Sequence, residues 1–150
     1  MRFLEAREWI RRAPAEVFDD LMDYQKLPSR TPLVTSVQLL TDPPVAVGSR
    51  FRVTYELAGK PTPVEREIVE YAPPHRCAIQ NSDQRFAWVD VWELCAEGEG
   101  TRVTYTARFR PRDLWHVLVA PLIFVQTRRR MREGVARLKR RLEATREVEP

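Results

Sequence analysis

The clearest pattern lies in the last third of the chain. Leu114, Val117, Pro121, Phe124, Met131, Val135, Leu138 and Leu142 recur at spacings of three, four or seven, the stripe of an amphipathic helix. Pro111 suits the first turn of such a helix, where its missing N–H goes unused. The spacing predicts one helix over 111–144, on the order of 50 Å long. A stripe of that length needs a broad apolar partner. Pro121 predicts a kink within it, since it leaves a carbonyl one turn earlier unpaired.

Upstream the period changes to two. Strands are predicted over 3–11, 33–40, 50–57, 64–71, 76–81, 85–95 and 101–110, separated by turn signals such as Asp42-Pro43-Pro44, Gly59-Lys60-Pro61 and Pro73-Pro74. Between the first two, Pro14 opens a short helix with Val17, Phe18, Leu21 and Met22 inward. Asp23 caps a second short helix that Pro28 ends. Short turns between consecutive strands favour an antiparallel meander. The expectation is a single α+β domain over 1–145, with a frayed polar tail at 146–150.

Alternation assigns faces. Val103, Tyr105, Ala107 and Phe109 alternate with Arg102, Thr104, Thr106 and Arg108, and Phe51, Val53, Tyr55 and Leu57 oppose Arg50, Arg52, Thr54 and Glu56. In 85–95 both sets are apolar; the bulkier holds Phe86, Trp88, Trp92 and Leu94, with Asp90 among them. This phase puts Cys77 inside and Cys95 outside, against a bridge between them.

Segments Ile10-Arg11-Arg12-Ala13-Pro14-Ala15-Glu16-Val17-Phe18, Asp23-Tyr24-Gln25-Lys26-Leu27-Pro28, Val47-Gly48-Ser49-Arg50-Phe51 and Gly100-Thr101-Arg102-Val103-Thr104-Tyr105, in this element order, resemble the START and birch-allergen-like (SRPBCC) superfamily, with its polyketide cyclase/dehydrase-like members. Relatives often hold a tryptophan at the position resembling Arg30. The resemblance implies a helix-grip fold: a curved sheet of about seven strands around the long helix, with an apolar cavity between them. Its members include lipid carriers, quinone-binding proteins and aromatase/cyclases, so it marks the fold far better than the activity.

Phe51, Val53, Tyr55, Tyr71, Trp88, Trp92, Tyr105 and Phe124 are the expected cavity wall, suited to a lipid, an isoprenoid or quinone, or a polycyclic aromatic ligand; plain core packing is the alternative for each. Asp90 would lose hydration there, and its pKa would rise toward acid–base use. Glu67 joins it if Val69 and Tyr71 face inward, giving two carboxylates for a cyclisation or dehydration. Alternatively Asp90 pairs with an arginine such as Arg85, or faces solvent. Arg128 falls on the stripe and would anchor a ligand carboxylate or phosphate, or else extend to solvent.

Composition narrows the classes. With 150 residues, 43% hydrophobic and 31% charged, the chain reads as globular. Its start, MRFLEAREWIRRA, lacks a signal-peptide core. The longest apolar run, 117–125, is too short to span a membrane, and a cytoplasmic location with free thiols is expected. Residues 128–141 carry eight Lys or Arg against Glu133 alone, but no aromatic residue, which disfavours nucleic acid. His75 and His116 have no ligand-spaced companions, so no metal and no cofactor is expected. Residues 115–125 are apolar nearly all round. That second face would touch a membrane surface or a second subunit unless the elements around Leu27 and Leu33 cover it. Three functions follow: a carrier or sensor of a hydrophobic ligand, an aromatase/cyclase-like enzyme, or an interaction module built on the basic helix, its cavity filled by its own side chains.

Overall fold

The computed structural model describes the backbone of residues 2–84, 86–111 and 114–148. Side chains are described over the same ranges except at 2, 111, 114–117, 119, 120, 123 and 145–148. The elements are β1 (Arg2–Ile10), α1 (Pro14–Met22), α2 (Leu27–Arg30), β2 (Val34–Leu39), β3 (Arg50–Leu57), β4 (Lys60–Ala72), β5 (Arg76–Ser82), β6 (Phe86–Glu97), β7 (Gly100–Pro111) and α3 (Leu114–Val148). One antiparallel sheet of seven strands runs β1-β7-β6-β5-β4-β3-β2. Every strand therefore lies beside its chain neighbour except β1, which closes onto β7. This is the helix-grip arrangement, with α3 laid across β1 and β7.

Local chemistry explains the elements and several departures from expectation. Pro14 opens α1, and the Glu16 carboxylate accepts from the Ala13 N–H at 3.2 Å. Asp23 accepts from the Gln25 N–H at 3.2 Å and so caps a short 3-10 turn over Tyr24–Lys26. Pro28 sits in the first turn of α2 rather than after its end, because a first-turn residue needs no donor. Pro111 likewise ends β7 opposite Phe86 instead of opening α3; a strand terminus tolerates the missing N–H equally well. The β3–β4 turn places Ala58 at φ 51° and Gly59 at φ 74°, both in the left-handed region that lets a two-residue hairpin follow the sheet twist.

The core has two parts. Ile10, Val17, Phe18, Val53, Cys77, Val103 and Leu138 anchor the larger cluster. Leu4, Ala6, Ala107, Phe109, Met131 and Val135 form the second, under the middle of α3. Met131, Val135, Leu138 and Leu142 thus face inward as expected, whereas Pro121 is exposed. Stepping back along α3 at 100° per residue from Met131 carries Pro121 away from the sheet. The side chains of Leu114 and Val117 lie outside the described residues. α3 continues unbroken through Pro121 and on to Val148, through most of the segment expected to fray. Leu118, Leu122 and Val125 remain 74%, 75% and 71% exposed; Leu27 and Leu33 line the interior instead of covering them.

Candidate functional site

Between the sheet, α2 and α3 lies a cavity of about 510 Å³. Strand register builds its wall. Trp92 stands opposite Tyr105, and Trp88 opposite Phe109, on the paired strands β6 and β7. Directly opposed side chains on one face sit close enough to stack. Trp92 and Tyr105 do so with ring centroids 4.0 Å apart and planes 3° from parallel; Trp88 and Phe109 stack at 6.0 Å. Tyr55, Phe51 and Val53 supply the β3 side.

A buried carboxylate sits in this largely apolar wall. Asp90 is 5% exposed, and donors from several side chains converge on it. The Tyr105 hydroxyl donates to Oδ1 at 2.8 Å. The Asn81 amide donates to Oδ2 at 3.0 Å. Arg66 Nη2 lies 3.5 Å from the same oxygen. An ionised carboxylate only accepts, so such donors are its natural partners. Burial nevertheless pushes the Asp90 carboxyl above the usual carboxylate range, against the opposing pull of Arg66 and of hydrogen bonds from Tyr105, Asn81 and Trp88. Burial, and next the Asp90 charge, push the Tyr105 hydroxyl well above the usual phenol range; burial also raises Tyr55. Both phenols are therefore neutral donors at physiological pH.

A further cation, Arg30, also lines the cavity. Arg30 is 7% exposed and donates to the carbonyls of Asp20 and Leu21, both at 3.1 Å. Burial, helped by Arg141, draws its guanidinium down to about 10. Asp20 in turn accepts from Lys26 at 3.0 Å and from Arg141. Arg30 thereby clamps α1 to α2 beside the cavity that it lines.

The expected site residues divide cleanly. Phe51, Val53, Tyr55, Trp88, Asp90, Trp92 and Tyr105 line the cavity together. Glu67 does not: it is exposed on the outer face. The register of β4 against β5 slips between Ile68 and Glu70, a bulge that adds one residue to the alternation. Val64, Arg66 and Ile68 therefore face inward before the bulge and Tyr71 after it. Tyr71 packs on Phe18 at 5.6 Å, in the core rather than at the cavity. Phe124 meets Phe109 edge-on at 5.4 Å, also outside the lining. Arg128 is exposed, while Thr127, Arg130 and Met131 supply the α3 side. Arg85 lies outside the described residues. Arg66, Arg30 and Asn81 escaped the sequence reading. Only Arg66 left a signal, its even spacing with Val64 and Ile68.

This arrangement can hold an apolar body against flat rings, offer Arg66 to a ligand oxygen, and exchange a proton at Asp90. It has no thiol nucleophile: Cys77 is buried, and burial pushes its thiol up to about 12. Among the described residues no cluster of His, Cys, Asp or Glu could hold a metal ion, and no helix is long and apolar enough to cross a membrane.

Solved structures share the fold. TTHA0849 from Thermus thermophilus superposes with TM-score 0.76 at 20% identity, covering 96% of this chain and 99% of that one. DR_A0006 from Deinococcus radiodurans gives 0.70 at 18%, covering 96% and 99%. Ara h 8.0201 gives 0.67 at 16%, covering 91% and 97%. At such identities the likeness concerns the fold alone. No curated protein matches the chain. The family model described as polyketide cyclase / dehydrase and lipid transport matches residues 4–143, and the chain belongs to that family.

Proposed function

We propose that the protein binds one small hydrophobic molecule between its sheet and α3, as a carrier or sensor. The observation that carries this reading is the open volume itself. About 510 Å³ bounded by Tyr55, Trp88, Trp92 and Tyr105 falls within the range of small-molecule sites, roughly 300–1,000 Å³. It is far more than a packed core leaves empty, which counts against an interaction module filled by its own side chains. The ligand is apolar over most of its length, with an oxygen near one end to accept from Arg66. Native mass spectrometry of protein purified gently from its own host tests this. A retained small molecule, released by denaturation, is the expected result. A bare polypeptide mass, with no change in Trp88 and Trp92 fluorescence on adding lipid, isoprenoid or polycyclic aromatic compounds, refutes it.

A second reading, catalysis of the cyclase or dehydrase kind, is favoured by one observation: Asp90 meets the Tyr105 hydroxyl at 2.8 Å on the cavity wall. Asp90 would take a proton from an activated carbon and return it to a leaving hydroxyl, with Arg66 steadying the enolate oxygen. Glu67 has no part in it. The Asp90→Asn variant should retain ligand but lose turnover of an identified substrate; full turnover rules the mechanism out.

A further inference from the structure

The outward face of α3 has no role in the cavity and is unusual for a protein surface. Leu118, Leu122 and Val125 are each more than 70% exposed. Arg129 and Arg132, also exposed, continue the same line. At 3.6 residues per turn these five side chains fall within about 80° of one another around the helix, on the side away from Met131, Val135 and Leu138. Three neighbouring apolar side chains in water are a standing cost that a monomeric surface usually avoids. The cationic run directly after them narrows the choice of partner. Only Glu133, ion-paired to Arg129 at 3.1 Å, offsets Arg128, Arg129, Arg130 and Arg132.

Location adds a second constraint. β3 ends, β6 begins, β7 ends and α3 begins at one end of the sheet. The cavity reaches that end at Leu57, Ala58 and Asp83, facing Gln126, Thr127 and Arg130 of α3. Its lining thus includes α3 residues directly after the turns that carry the apolar face.

We infer that this face docks on an anionic bilayer, with Leu118, Leu122 and Val125 inserted among the acyl chains and Arg129 and Arg132 on the lipid phosphates. An apolar tip followed by a cationic collar is the pattern of helices that lie in a membrane interface. A second copy of the chain fits less well, because its own arginines would meet these. The bilayer is then the reservoir from which the cavity loads, a link that rests on the ligand-binding reading; the docking itself does not.

Co-sedimentation with phosphatidylcholine vesicles, with and without phosphatidylglycerol, tests the docking. Binding should need the anionic lipid and weaken with salt. Arg129→Ala with Arg132→Ala should lower partitioning about thirtyfold, roughly fivefold for each cation. Leu118→Asp with Leu122→Asp should abolish it while leaving circular dichroism and melting unchanged, since neither side chain packs on the core. Absence of vesicle binding, or binding indifferent to both double variants, overturns the inference. So does a dimer that the Asp variant dissociates without affecting vesicle binding. Native mass spectrometry of the wild-type protein separates the two readings: ligand retained by a protein that does not bind vesicles leaves the cavity reading intact and overturns this one.

Discussion

Replacing Arg66 by methionine keeps most of the side-chain volume and removes the cation beside Asp90. The side chains of Arg66 and Asp90 are 13% and 7% exposed, with nitrogen and oxygen 3.5 Å apart. At an effective dielectric of about 20, Coulomb's law gives an attraction of about 5 kcal/mol at that distance. Loss of one partner from a buried pair costs about 3–5 kcal/mol, and the remaining donors, Tyr105 and Asn81, favour the lower part of that range. Asp90 can escape by taking up a proton. Its folded pKa is already raised, and removing Arg66 raises it further above the unfolded value near 3.9. A raised carboxyl contributes stability below its unfolded pKa and loses it as pH rises through the folded pKa. Arg66→Met should therefore be closest to wild type near pH 4 and fall about 3 kcal/mol behind by pH 7, roughly 10 °C in melting temperature. Urea titrations across this range, read at constant m-value, measure it. The double variant Arg66→Met with Asp90→Asn should recover most of the loss, because neither charge is then stranded. A cost below about 1 kcal/mol at pH 7, the range of a solvated surface pair, or one indifferent to pH, would show that the pair is not the charged centre of the interior.

Three further outcomes follow from local geometry. A thiol-reactive dye should label exposed Cys95 at once and buried Cys77 only in denaturant, since Cys77 is both inaccessible and held as a thiol by its pKa of about 12; two labels in the native state refute this. Gly100→Ala should destabilise by about 1–3 kcal/mol, because a Cβ there would lie 2.3 Å from the Ile10 carbonyl oxygen and 2.7 Å from the Trp9 indole; an unchanged urea midpoint would contradict it. Ala58→Asn should stabilise by up to about 1 kcal/mol, asparagine before glycine being better suited to the left-handed turn that Ala58 occupies at φ 51°. A lower midpoint would mean that the turn tolerates alanine without strain.

The sequence disclosed most where a single residue decides the face. Val103, Tyr105, Ala107 and Phe109 alternate with charged or polar neighbours, so their facing was legible, and with it the Trp92–Tyr105 wall and the setting of Asp90. Proline was ambiguous: Pro28 and Pro111 fit the end of one element as well as the start of the next, and only pairing decides. Arg128 failed for a helical reason. Four residues back from Met131 is Thr127 and three back is Arg128, and the cavity side of α3 follows the first step. The buried guanidiniums were hidden more deeply. Arg30 is satisfied by the carbonyls of Asp20 and Leu21, and Arg66 by a carboxylate on another strand. Such partners exist only once the chain has folded.

The slip in β4 has a consequence for what the interior can host. If every residue were kept and the strand alternated without the bulge, a strand held by Tyr71 would present Val69, Glu67 and Glu65 inward in place of Ile68, Arg66 and Val64. Asp90 would then face acids instead of a cation, and an electron-rich guest would be repelled. The bulge thus sets the electrical polarity of the chamber, and deleting Val69 would restore regular alternation while leaving Ile68, Arg66 and Val64 inward. Guest selectivity in this molecule is therefore encoded partly in the phase of one strand, which the bulge sets.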